Sequence, residues 1–236
     1  MHRAEEGDRL AAEMWSALVS DAAIKTKADS VERTPFCLLD VAQTSFLKNL
    51  AEVCSLDVLP RRGNRQRYFL QAIEGALFMP WRREDQTPSF RWDPAEDSRH
   101  AYRWAAPTDE KQGVQHGANM LAAVGLHVLT VVPIQRSGEV RLQVLGGEMA
   151  GGFSFAWPIW QKPTSLSSIR ALLCHPGLRI PGALTHLGVD QVRVSRRISP
   201  PGSKYANFTS ARVLEGRYVD ADTIPRHADI VAPETD

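Results

Sequence analysis

Near residue 128 the periodicity of the chain changes, and this limits the folds open to it. Before that point apolar residues recur at helical spacing; after it they come in short β-branched and aromatic runs. Residues 8–25 read as a helix with Asp8 as N-cap, because Leu10, Met14 and Leu18 fall four apart with Ala11, Trp15 and Ala22 beside them. Residues 42–56 give a second helix whose face carries Phe46, Leu47, Leu50, Val53 and Cys54, which makes Cys54 a buried small apolar residue. Residues 67–79 form a third, with Tyr68, Phe69, Ile73, Ala76 and Leu77, and Pro80 ends it. Residues 114–127 form a fourth, apolar all round. Gly117, Ala118, Ala122, Ala123 and Gly125 allow close approach there, so this helix is expected to be central. Arg33–Asp40, with Pro35 near its start, suits a strand or extended loop. Residues 57–67 are broken by Pro60 and Gly63, and residues 81–107 are polar and Trp-rich with no steady period, a long loop or short hairpins.

In the second half, Val128–Ile134 and Val140–Leu145 flank a Gln-Arg-Ser-Gly-Glu turn and read as a hairpin. The loop Gly146-Gly147 to Gly151-Gly152 calls for unusual backbone angles. Phe153–Trp160 follows as a strand. Thr164 or Ser165 caps a short helix bearing Leu166, Ile169, Leu172 and Leu173, closed by Pro176 and Gly177, and Gln191–Ile198 is the last clear strand. The expected fold is α+β: a helical region over 1–127, a β-rich region over 128–217 packed on it, and an acidic, poorly ordered tail over 218–236.

Composition removes several classes. With 43% hydrophobic and 23% charged residues the chain is neither disordered nor fibrous. The longest apolar run, Leu126–Pro133, is far short of the roughly 20 residues a membrane span needs, and the charged N-terminus lacks the apolar stretch of a secretory signal, so a cytoplasmic protein with no membrane contact is expected. Cys37, Cys54 and Cys174 lie far apart and the seven His are scattered, so neither a disulfide framework nor a zinc site is expected, and no cofactor. His127 reads as a core histidine and His175 as a helix-end residue.

The overall charge of +1 hides an uneven distribution: residues 60–104 carry +3 and residues 134–217 carry +7, between acidic ends of −4 each. Three arginine clusters account for much of this. The first is Arg61, Arg62, Arg65 and Arg67 in a loop running into a helix. The second is Arg82 and Arg83 beside Trp81. The third is Arg193, Arg196 and Arg197, continuing to Lys204 and Tyr205. The guanidinium fork bonds two phosphate oxygens at once, and nearby aromatic rings stack on unpaired bases, so these ten cationic residues are the candidate nucleic-acid ligands. The segment Asp93, Glu96, Asp97 and His100 is the other chemical cluster. Coiled after Pro94, it places carboxylates and an imidazole one turn apart, as a metal-dependent nuclease or other hydrolase requires; otherwise Asp93 caps a turn and the other acids pair with Arg99 and Arg103. No nucleophile elbow, phosphate loop or second acidic cluster accompanies it, so no catalytic residue is assigned. The third reading is an assembly adaptor whose Trp-rich loop meets a protein.

Several phrases occur in order: Thr34-Pro-Phe36, Gln43-Thr-Ser-Phe46-Leu47, Ser89-Phe-Arg91-Trp92-Asp93-Pro94, Gly117-Ala118-Asn119, Phe155-Ala-Trp157-Pro158-Ile-Trp160, Leu166-Ser-Ser-Ile169-Arg170 and Tyr205-Ala-Asn207-Phe208. This series resembles proteins encoded in type I CRISPR loci, especially subtype I-G, formerly I-U, over residues 8 to 215. Val41-Ala42-Gln43 departs from that pattern, where Gly-Gln-Gln is common. The resemblance implies a non-catalytic subunit of an RNA-guided antiviral complex. Its partners would be guide RNA, target DNA and other subunits, with base pairing supplying sequence recognition.

Overall fold

A computed structural model of the chain describes residues 9–25, 30–38, 43–55, 65–96, 113–136, 138–199 and 206–214. The fold class is α+β, with helices concentrated in the first half and antiparallel strands in the second. The chain divides into two compact units, one of residues 1–145 with 197–210 and the other of residues 146–196 with 211–236. Among the described residues no helix is long and apolar enough to cross a membrane. The expected tail over 218–236 lies outside the described residues.

Among the described residues the first unit contains four α-helices: α1 (Arg9–Ser16), α2 (Gln43–Val53), α3 (Arg65–Phe78) and α4 (His116–Gly125). Helix α1 is half the length expected. Val19, Ser20 and Asp21 are weak helix formers, and the chain turns there into a 3-10 turn at Asp21–Ala23 and a short ribbon of β1 (Ile24–Lys25) and β2 (Ser30–Val31). The apolar spacing survives the break, since Ala17 and Leu18 are buried beyond the helix end. Residues 32–38 form no helix, and Phe36, Cys37 and Leu38 are buried. In α2, Phe46 and Val53 are buried but Leu47 is half in water. Cys54 lies one residue past the helix and is exposed, which corrects the buried reading: the apolar face ends with the helix.

Helix α4 packs closely on α3, as its small residues allow, but Leu121 and Val124 are exposed, so it is buried along one side only. A Cβ on Gly117 would fall 1.9 Å from the Ala72 carbonyl oxygen of α3, so the two backbones touch there. Residues 126–128 continue α4 as a 3-10 turn, which delays the hairpin to β3 (Val131–Arg136) and β4 (Glu139–Val144), paired from Val131↔Val144 to Arg136↔Glu139. His127 sits in that 3-10 turn, only partly covered, with Nδ1 bonded to the Val124 carbonyl; it is not a core histidine. The aromatic core gathers Phe36, Phe46, Phe90, Trp92 and Phe208.

The second unit is an antiparallel sheet with β6 (Ser154–Trp160) and β7 (Val189–Ile198) at its centre. Strand β5 (Gly147–Glu148) pairs with β6, and β9 (Arg212–Val213) pairs with β7. The last two residues of β7 belong to the first unit, where they pair with β8 (Asn207–Phe208). The expected last strand is thus followed by two more, each too short to show a period. Helix α5 (Leu166–Leu173) is capped by Ser165, whose Oγ accepts from the Ser168 N–H at 3.2 Å. His175 caps the following 3-10 turn, accepting from the Gly177 N–H at 3.0 Å, as a helix-end residue should. Ala156, Val192 and Val194 on one sheet face pack with Leu172, Leu178 and Leu184.

Candidate nucleic-acid interface

In the first unit the segment from Trp81 to Glu96 has little regular structure, yet polar contacts hold nearly every turn of it. Arg83 and Arg91 adopt left-handed backbone angles (φ 56° and 59°), which cost non-glycine residues on the order of 1–3 kcal/mol each and persist only when their surroundings hold them. The holds are visible. The Arg83 guanidinium donates twice to Asp93, at 2.6 and 3.3 Å, and lies over the Trp81 ring. The Arg91 N–H donates to Ser89 Oγ at 2.9 Å, and that hydroxyl donates in turn to the Glu96 carboxylate. Asn49 donates to the Ser89 carbonyl at 2.7 Å, and the Trp92 indole to the Phe36 carbonyl at 2.8 Å. Asp85 joins the segment to the helices. Its carboxylate accepts from the Tyr68 hydroxyl at 2.9 Å and from the backbone N–H of His116 at 3.0 Å, while its backbone bridges Val114. Burial and the Asp85 hydrogen bond push the Tyr68 phenol up to about 12.

Among the described residues His116 is the buried histidine of this unit, with no exposed surface at all. Its Nδ1 meets the Thr87 hydroxyl at 2.9 Å, and its Nε2 has no hydrogen-bond partner. Burial holds the ring below its ordinary value of 6.5, and the Asp85 charge only partly offsets this. The folded state therefore favours the neutral ring. The stability this confers is complete above about pH 6.5 and is lost as pH falls toward the depressed folded value. Burial raises the Glu96 carboxyl against its Ser89 hydrogen bond, which has the opposite sign, with stability gained as pH falls toward its ordinary value. His116→Gln separates the two, since it removes one titration and keeps the other. The stability difference between wild type and His116→Gln, measured by urea unfolding, should shrink between pH 7.5 and 5 at up to about 1.4 kcal/mol per pH unit. A constant difference would show that the ring does not titrate in this way.

The structure places the sequence-predicted ligands unequally. Arg61, Arg62 and Lys204 lie outside the described residues; Arg65 opens α3, and Arg67 is exposed on it. Arg82 is exposed, with no carboxylate in ion-pair range among the described residues. Arg83 is committed to Asp93, so it serves the segment's own architecture rather than an open phosphate site. In the second unit, Arg193 stands directly opposite Trp157, whereas Arg196 stands opposite Ser154 on the other face of the sheet and donates to the Gly151 carbonyl at 3.5 Å. Residues three apart on a strand point to opposite faces, so this cluster divides rather than forming one patch. In the first unit Arg197 donates to the Pro35 carbonyl at 3.4 Å. Arg179, not singled out in the sequence, ties β5 to β6 through the Gly146 and Ser154 carbonyls and an ion pair with Glu148 at 3.3 Å.

The acidic segment is also spent on structure as far as it is described. Asp93 caps the 3-10 turn Pro94–Glu96, accepting from the Ala95 N–H at 2.9 Å, besides holding Arg83; Glu96 is buried against Ser89. Asp97, Arg99, His100 and Arg103 lie outside the described residues. Among the described residues no three His, Cys, Asp or Glu side chains gather as a metal would require.

Searches of protein-family models, curated proteins and solved structures find no match to this chain.

Proposed function

We propose that this chain is a non-catalytic, nucleic-acid-binding subunit of an RNA-guided complex of the type I CRISPR kind, acting in the cytoplasm. It would hold guide RNA or the backbone of target DNA while base pairing reads the sequence. One observation carries the binding part. Arg193 stands directly opposite Trp157 across the strand pair, and Arg82 is exposed, with no acidic partner for either among the described residues. A cation next to an aromatic ring is the pairing that phosphate and a neighbouring base both accept. The order of phrases resembling CRISPR-locus proteins supports the narrower assignment.

A specific observation also favours protein contacts, as a subunit or an adaptor needs. At the end of α3, Leu77, Phe78 and Met79 are 56%, 77% and 62% exposed, an apolar run that water disfavours.

The binding claim is tested by salt titration. Neutralising Arg61, Arg62, Arg65 and Arg67 together, or Arg82 alone, should weaken binding to single-stranded RNA and duplex DNA. Every phosphate-bound arginine so neutralised should flatten the log-affinity against log-salt slope by about 0.7 on single strands and about 0.9 on duplex. Unchanged slopes in both variants would leave these arginines as a solvated surface and the adaptor reading ahead.

A further inference from the structure

Helix α3 ends in large apolar side chains that face water. Leu77, Phe78 and Met79 are 56%, 77% and 62% exposed, and Trp81, just past the helix, is 42% exposed. Leu70, two turns before Leu77 on the same helix face, is 62% exposed. At about 150–250 Å² for a large side chain, these five expose on the order of 500 Å², a size at which an apolar patch on a single chain is often an interaction site. The patch is held in place. Pro80 stops the helix, and the Trp81 indole donates to the Ala76 carbonyl of α3 at 2.9 Å. The Arg83 guanidinium lies 5.5 Å from the centre of the same ring and is itself fixed by Asp93. The left-handed backbone of Arg83 lies in this turn, so a strained residue fixes an indole that water still reaches. Charges of both signs surround the patch, Arg67 and Glu74 on α3 and Arg82 and Glu84 after it, all exposed.

We infer that this patch docks a second copy of the chain in a two-fold dimer, an inference that rests on the protein-contact reading above and not on the nucleic-acid one. In a two-fold contact the same surface lies on both sides, so a rim with two acidic and two basic groups meets itself without net repulsion. Glu74 and Arg82 lie four residues on either side of Phe78. Chains crossing in opposite directions at Phe78 bring Glu74 of one copy toward Arg82 of the other, twice, around an apolar centre of Leu77, Phe78 and Met79. A partner of one dominant charge would be repelled by half of this rim, and a nucleic acid by Glu74 and Glu84. A fixed indole and a large exposed ring lose little freedom on docking, which suits them as anchors. One carboxylate does not exhaust the five donors of a guanidinium, so Arg82 in such a dimer keeps donors for phosphate.

The test uses the full-length protein before and after nuclease treatment, with mass read by sedimentation equilibrium over a series of concentrations. Wild type should approach twice the chain mass as concentration rises, with or without nuclease. Phe78→Asp should weaken dimerisation about thirtyfold or more, and Phe78→Leu, which keeps an apolar side chain, by less than about tenfold. Glu74→Arg and Arg82→Glu should each weaken it about fivefold or more, because each sets like charges together at both symmetric positions. The double variant Glu74→Arg/Arg82→Glu should return to within about threefold of wild type. Pairing between copies predicts that recovery, and a local effect on α3 does not. Thermal unfolding shows which variants fold, and if Phe78→Asp does not, the charge exchange decides. A dimer that Phe78→Asp leaves intact, a double variant that does not recover, or association lost on nuclease treatment overturns the inference. A wild-type monomer at every concentration also overturns it. If Phe78→Asp is then as stable as wild type, the patch is left to a different protein and the protein-contact reading stands. If it is destabilised as a buried ring would be, the chain covers its own patch and both fall.

Discussion

Replacing Phe90 by alanine should destabilise the first unit by about 3–5 kcal/mol, the usual cost of deleting a buried ring together with the cavity left behind. Phe90 is only 2% exposed and stacks on Trp92 at 4.3 Å, with planes within 19°. It also meets Phe46 of α2 at 5.8 Å. The residues around it cannot close the gap easily. The preceding carbonyl is held by Asn49, and Trp92 is pinned through its indole to Phe36. The fall in Tm should be roughly 6–20 °C, at about 2–4 °C per kcal/mol for a unit of this size. Phe90→Leu, which retains most of the volume, should cost less than half as much. A loss below about 1 kcal/mol on Phe90→Ala would mean that the aromatic core is not packed as described. Under the proposed nucleic-acid reading, Arg82 stands on the segment that Phe90 anchors, so a loosened anchor should weaken that binding without any change in charge.

Gly117→Ala should run against the ordinary rule for helices. Alanine in place of glycine inside a helix normally gains about 1 kcal/mol. Here the new Cβ would lie 1.9 Å from the Ala72 carbonyl oxygen, 2.4 Å from its carbon and 2.9 Å from the Ile73 nitrogen. Those are backbone atoms, which no rotamer change moves aside, so α3 and α4 must separate and give up packing along their length. The expected net effect is destabilisation by about 2–3 kcal/mol, at the upper end of overpacking costs. Gly125, at the end of the same helix, is the internal control. A Cβ there meets nothing within 4 Å, so Gly125→Ala should be neutral or stabilising. Opposite signs for the two substitutions, measured by urea unfolding, support the helix pairing; a stabilising effect at both positions would contradict it.

What the sequence reveals of this fold follows from how local each signal is. The run of small residues in 114–127 foretells the close α3–α4 contact, and at the point of closest approach only glycine leaves room for the facing backbone. The alternation of Phe155, Trp157 and Ile159 with Ala156 and Pro158 is a period-2 pattern, so the two sheet faces can be read from residues alone. The same rule separates Arg193 from Arg196, which proximity in sequence had grouped. Other features were hidden because their partners are far apart in the chain. His116 gains its setting from Asp85 and Thr87, about thirty residues earlier, and nothing in its own neighbourhood marks it as the buried histidine in place of His127. Arg83 looks like a phosphate ligand beside Trp81 until Asp93, ten residues on, takes its guanidinium. Helix ends were the weakest point. Leu18 and Cys54 continue apolar spacings that the helices do not follow, and they met opposite fates: Leu18 is buried by the turn after α1, and Cys54 is left in water after α2.

The central claim is that this chain binds nucleic acid within an RNA-guided complex, and it is tested most directly by what the protein carries in its own cells. The tagged full-length protein would be purified from its native host at low salt, and the co-purifying nucleic acid extracted and sequenced. The account predicts short RNAs of narrow length range that share repeat-derived flanks around variable inserts, released as salt is raised. Recovery of the protein free of nucleic acid, or bound only to other proteins, would contradict it.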